Sequence, residues 1–116
     1  MITRIDCDQT MARATVHNGV IYFCGHVADC PGAPMKQQAE RLLARYEELL
    51  SMYGSSKDQL IFATVYVSDL SQKEAFNAVW DAWLTPGCAP ARVCVQCGLP
   101  QGYAVEIALT AECLQA

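Results

Sequence analysis

The run Leu60-Ile-Phe-Ala-Thr-Val-Tyr-Val-Ser68 decides how the rest of the chain is read. It is rich in β-branched and aromatic residues, and alternation puts Ile61, Ala63, Val65 and Val67 on one face of a central strand. On its N-terminal side, between Gln37 and Tyr53, the residues Ala39, Leu42, Leu43, Tyr46, Leu49, Leu50 and Tyr53 recur at three- and four-residue steps. Glu40, Arg41, Arg45, Glu47 and Glu48 fill the steps between them, which predicts an amphipathic helix stopped near Gly54. On its C-terminal side, Ser71-Gln-Lys-Glu74 has the form of a capping box. Ala75, Phe76, Val79, Trp80 and Trp83 follow at helical spacing until Pro86-Gly87.

Further out, RATVH (13–17) and VIYFC (20–24) flank Asn18-Gly19, a strong two-residue hairpin signal because both turn positions need positive φ. Asp29-Cys30-Pro31-Gly32-Ala33-Pro34 reads as a loop leading into the first helix. Two runs close the chain, Ala91 to Cys97 and Ala104 to Cys113, joined through Gly98-Leu-Pro-Gln-Gly102 as an expected hairpin loop. The pattern is β-β-α-β-α-β-β. Each helix lies between strands and can act as a crossover, so the expected fold is α+β, one mixed sheet with both helices on one face. The opposite face then needs cover. At 116 residues, with no repeat or linker, residues 1–116 form a single domain.

Composition narrows the partners. The 53% hydrophobic content, with only 17% charged, is above the roughly 45–50% apolar usage of average domains, which points to apolar surface buried between subunits. Eight basic against twelve acidic residues give a net charge of −4, which repels polyphosphate and argues against nucleic acid. No stretch approaches the roughly 20 apolar residues of a membrane span, and MITRIDCDQT lacks a basic region followed by an apolar run. A cytoplasmic location without membrane contact is expected. Seven cysteines, an odd number without a signal peptide, suit reduced thiols.

The chemistry-bearing positions cluster in the two C-terminal strands. Alternation gives Val93, Val95 and Cys97 one face and Arg92, Cys94 and Gln96 the other; Val105, Ile107, Leu109 and Ala111 oppose Glu106, Ala108 and Thr110. Arg92 and Glu106 are therefore expected together on the face away from the helices. Such an arginine can grip a carboxylate through two parallel N–H···O bonds, and the glutamate can orient or deprotonate a water. An ordinary cross-strand ion pair is the other reading of the same pattern. Cys94-Val-Gln-Cys97 has CxxC spacing, but an odd offset sends its sulfurs to opposite faces of a strand, which disfavours a metal site. Cys94 shares the face of Arg92 yet has no evident base beside it. His17 and His26 flank the first hairpin and read as structural. Phe62, Tyr66, Trp80 and Trp83 fit packing better than base stacking. Phosphate-loop, nucleophile-elbow and His-Glu-x-x-His motifs are absent.

Pro90-Ala91-Arg92-Val93-Cys94-Val95, then Leu99-Pro100, then Val105-Glu106-Ile107, resembles the signature of the Rid (reactive intermediate deaminase, YjgF-type) family. Phe23-Cys24-Gly25, Thr64-Val65-Tyr66-Val67-Ser68-Asp69-Leu70 and Asn77-Ala78-Val79-Trp80 extend the resemblance over nearly the whole chain. It implies a chorismate-mutase-like domain whose sheets pack into a trimeric barrel, with sites in clefts between subunits. It also implies hydrolysis of 2-imino or enamino acids to 2-keto acids and ammonia without cofactor or metal. Arg92 matches the arginine that binds the substrate carboxylate, and Glu106 the glutamate that positions the attacking water. Gly25, Cys24, Cys94, Asn77 and Met11 match pocket positions. Cys24 stands where many members carry Ser, Met11 where many carry an aromatic residue, and the loop from Trp83 to Pro90 is shorter than in the best-known branch. Two other functions compete: a non-catalytic small-molecule-binding or chaperone-like trimer, and the ribonuclease or translation-inhibitor label of some relatives, which the acidic balance disfavours.

Overall fold

A computed structural model describes residues 1–113. The elements run β1 (Thr3–Ile5), β2 (Ala14–His17), β3 (Val20–Phe23), α1 (Met35–Met52), β4 (Leu60–Val67), α2 (Lys73–Trp83), β5 (Ala91–Gln96) and β6 (Val105–Glu112). They form one six-stranded sheet in the order β1-β2-β3-β6-β4-β5. Only β4 and β5 pair in parallel, and α2 supplies the crossover that a parallel pair requires. The last strand in sequence, β6, inserts between β3 and β4, antiparallel to both.

Local chemistry accounts for most boundaries. Asn18 and Gly19 take φ of 51° and 77°, the double positive-φ turn that matches strand twist, and β2 and β3 pair around it from His17↔Val20 to Ala14↔Phe23. Helix α1 ends at Met52, with Tyr53 N–H bonding back to the Leu49 and Leu50 carbonyls and Gly54 at φ 76°. Its start has no side-chain cap. Instead the fully buried Gln38 donates to the Ala33 and Gly102 carbonyls and accepts from Ala104 N–H, tying the loop before α1 to the loop before β6.

Four expectations need correction. First, β1 was not anticipated: three residues, two of them exposed, carry no hydrophobic alternation, and the strand exists through its ladder to β2. Second, Ser71 and Glu74 form no capping box. Asp69 accepts from Ser71 N–H at 2.9 Å and nucleates a 3-10 turn at Leu70–Gln72 that leads into α2. Third, Ile61 leaves the buried face. The β4–β6 register shifts between Leu60 and Phe62, so Leu60 is buried while Ile61 is 45% exposed. Fourth, β5 and β6 are not a hairpin pair, because β4 lies between them.

The core lies between the helices and one face of the sheet. Ile21, Phe23, Ala63, Val65, Val67, Val105, Ile107 and Leu109 meet Leu42, Leu43, Tyr46, Leu50, Phe76 and Trp80 there. On the other face Tyr22, Phe62, Val93 and Val95 are between 39% and 47% exposed, so this side of the sheet is the uncovered one. The two-helix, one-face arrangement is the one expected.

Candidate functional site

Glu106 points to the open face, opposite Tyr66 of β4. Just beyond it, the segment after β3 returns to β6 through an isolated bridge: His26 N–H donates to the Ile107 carbonyl at 2.9 Å, and Ile107 N–H donates to the His26 carbonyl at 3.0 Å. This bridge lays Gly25 directly against the Glu106 side chain. A Cβ on Gly25 would overlap the Glu106 carboxylate, coming within 2.9 Å of its Cδ. Glycine is therefore a steric condition for the position of the carboxylate.

The segment is held from behind by a buried network. Tyr46 of α1 donates to the Ile107 carbonyl at 2.7 Å and lies 3.1 Å from His26 Nδ1, which is 2.8 Å from the Cys24 carbonyl. Phe23 and His26 pack edge-on and tilted against the Tyr46 ring. Burial pushes the Tyr46 hydroxyl pKa far up. Burial also pulls His26 below its ordinary value, against its bond to the Cys24 carbonyl and with the Arg13 and Arg45 charges adding to the effect. The Cys24 thiol is pushed up by burial, with Arg13 opposing. Cys24 N–H donates to the Arg13 carbonyl. Two residues before Arg13, Met11 is exposed at the end of a turn in which Asp8 Oδ1 accepts from the Thr10 and Met11 N–H groups. Cys24, Gly25 and Glu106 thus belong to one half of the candidate site, and Met11 lies two residues before the Arg13 carbonyl that accepts from Cys24.

Arg92 and Cys94 belong to another. Arg92 is in register with Ala63 and Cys94 with Val65, so both lie on the helix face of the edge strand β5. The guanidinium carbon sits 5.8 Å from the Phe76 ring centre and 5.7 Å from that of Trp80, both on α2. Arg92 Nη1 and Asn77 Oδ1 are buried without a hydrogen-bond partner among the described residues. Among the described residues, the ion pairs are Arg41–Asp29, Arg45–Glu48 and Lys57–Glu47, and none involves Arg92.

The expectation that Arg92 and Glu106 share the non-helix face is therefore overturned. Alternation has to be counted through β4, where Arg92 pairs with Ala63 and Glu106 with Tyr66, an odd offset that puts them on opposite faces. Within one chain they cannot form the cross-strand ion pair that was the simplest reading. Sequence reasoning placed Trp80 in packing and did not connect Phe76 or Trp80 to Arg92. Their four-residue spacing was visible, but the partner beneath them depends on the crossover.

The comparisons agree with this fold. The family model described as "Endoribonuclease L-PSP" matches residues 1–113. A RutC family protein of Haemophilus ducreyi is 31% identical over 112 residues, 96% of each chain. RutC family protein YoaB of Escherichia coli is 35% identical over 111 residues, 95% of this chain and 96% of the other. A crystal structure of a member of the YjgF protein family from Neisseria meningitidis superposes with a TM-score of 0.91 at 31% identity, covering 100% of this chain and 98% of that one. With residues 1–113 matched by the family model and the fold and length shared with these relatives, the chain belongs to the endoribonuclease L-PSP family, the Rid and YjgF group of proteins.

Proposed function

We propose that the protein is a cytoplasmic homotrimeric hydrolase that converts 2-imino acids, and their enamine tautomers, to 2-keto acids and ammonia. One observation carries this reading. The chain presents a carboxylate seated against a glycine on its open sheet face, and on its edge strand a guanidinium without a carboxylate partner among the described residues, two complementary halves that a single copy holds apart. A neighbouring copy that covers the apolar open face would bring the Glu106 half of one subunit to the Arg92 half of the next. Among the described residues no helix is long and apolar enough to cross a membrane.

In such a cleft Arg92 binds the substrate carboxylate through two N–H donors, fixing the imine carbon. Glu106 accepts a proton from a water as its oxygen bonds to that carbon and the C=N π pair moves to nitrogen. That proton then passes to nitrogen to give a carbinolamine; Glu106 next takes the hydroxyl proton and hands it to nitrogen as the carbon–oxygen double bond forms and the C–N bond breaks, releasing ammonia. Water in and ammonia out balance the reaction, and no redox change occurs. Because free imines also decay unaided in water, positioning plus one general base, worth about 10²–10⁴-fold, is an adequate device.

The test generates 2-imino acids in place with an amino-acid oxidase and traps them with semicarbazide. The wild-type protein is expected to suppress semicarbazone formation. Arg92→Ala should lose at least about 10² in kcat/KM, and Glu106→Gln about 10²–10⁴ in kcat. Wild-type protein that binds keto acids but leaves the imine to decay at its background rate would replace this reading with that of a binding trimer. Full activity in Arg92→Ala would end the mechanism.

A further inference from the structure

The Arg92 guanidinium is held in an unusual way. It lies over two aromatic rings of α2, at 5.8 Å from Phe76 and 5.7 Å from Trp80, and those rings stack on each other at 5.9 Å with 28° between their planes. Both rings are buried, at 0% and 4% exposure, so water does not screen the faces they present. The β4 residue in register with Arg92 is Ala63, whose neighbours on the same face are Val65 and Val67. A methyl group at that point leaves room for the aromatic pair and the guanidinium in one layer.

No carboxylate neutralises this cation among the described residues, although the chain carries more acidic than basic side chains. The seam also holds a buried donor without an acceptor, Arg92 Nη1, and a buried acceptor without a donor, Asn77 Oδ1, one residue after Phe76 on α2. Buried polar atoms left this way are costly unless binding completes them. An arginine on an edge strand would otherwise lose much of its rotamer freedom on meeting an anion; a guanidinium already held over two buried rings has lost part of it beforehand.

We propose that Trp80, with Phe76 stacked against it, is the positioning residue of the carboxylate subsite: its ring holds the Arg92 guanidinium in place so that an incoming 2-keto or 2-imino acid meets a pre-set fork. The inference rests on the reading of Arg92 as the carboxylate anchor. Trp80 acts through Arg92 and touches no reacting atom. Its removal therefore weakens binding of the carboxylate and leaves the chemical step intact, a division that general loss of packing would not produce.

The experiment compares wild type, Trp80→Leu and Trp80→Phe as assembled oligomers, with 2-oxobutanoate binding measured by calorimetry alongside imine turnover. Trp80→Leu is expected to raise both the Kd for 2-oxobutanoate and KM by about 2- to 30-fold, with kcat within about twofold of wild type. Trp80→Phe, which keeps a ring face, should recover most of that loss. Unchanged Kd in Trp80→Leu, a fall confined to kcat, or a Phe variant as impaired as the Leu variant would each overturn the proposal. Wild-type protein that binds 2-oxobutanoate without hydrolysing imines removes only the deaminase reading. Wild-type protein that binds no keto acid removes the subsite and the inference together. If Trp80→Leu does not assemble, the wild-type protein still decides the matter: ring currents should shift the Arg92 δ-methylene and Nε–H proton resonances upfield, and ordinary shifts there would refute the placement of the guanidinium over the rings.

Discussion

The two halves of the candidate site are positioned by different means. Around Glu106 the work is done by backbone: a bridge between His26 and Ile107, a glycine with no room for a methyl group, and a tyrosine from α1 that hydrogen-bonds to the same carbonyl. Around Arg92 it is done by side chains, two rings of α2 above an edge strand. A group fixed by backbone tolerates almost no change beside it, whereas one fixed by ring faces should respond in proportion to how much aromatic surface remains. The central position of β6 and the edge position of β5 suit these roles, because the edge is the side of the sheet that another copy can approach.

The comparison breaks most visibly if both halves serve a site within one chain. Arg92→Ala and Glu106→Gln subunits, each inactive alone, are to be unfolded, mixed in equal amounts and refolded together. If Glu106 of one subunit works with Arg92 of the next, random reassembly restores roughly one quarter of the sites. An intact site within one chain would leave the mixture as inactive as its parents, and the assay is the semicarbazone measurement on each preparation.

Adding one methyl group sharpens the contrast. Gly25→Ala should lower kcat by about 10²-fold, since displacement of a positioned group by about 1 Å has that effect, while the overpacking costs about 1–3 kcal/mol of stability in urea titration. On the other side, Cys94→Ala removes a sulfur atom and creates no steric conflict of this kind. Unaltered kcat in Gly25→Ala would mean that Glu106 need not occupy the observed position.

The smallest expected effect concerns pH. His26 has a folded-state pKa below its ordinary value, so between that depressed value and about 6.5 the unfolded chain binds more protons than the folded one. Stability supplied by neutral His26 is complete above about pH 6.5 and declines as pH falls toward the folded-state pKa. Thermal unfolding of His26→Gln should therefore show a shallower decline over this interval than wild type. Parallel profiles would show that the network behind Gly25 does not depend on neutral His26.

Much of the fold was legible in the chain. Asn18-Gly19 announced the first hairpin, the three- and four-residue steps from Ala39 to Leu50 announced α1, and the alternation of Val105, Ile107, Leu109 and Ala111 identified the buried face of β6. These signals are local, because a turn, a helix stripe and a strand face are each specified by residues a few positions apart. The strand β1 carried no such signal, and the bulge at Ile61 is a property of the β4–β6 pair and of neither strand alone.

The sequence by itself determined which residues are the candidates for the chemistry, Arg92 and Glu106 above all, and that each sits in a strand with a definite alternation. Only the tertiary structure decided that they face opposite ways, because the strand between them comes from 29 residues earlier in the chain, counting from Ala63 to its partner Arg92 in β5. Alternation fixes faces within a strand. The relation between strands follows from sheet order, which is set by where the helices cross and what their apolar sides can cover.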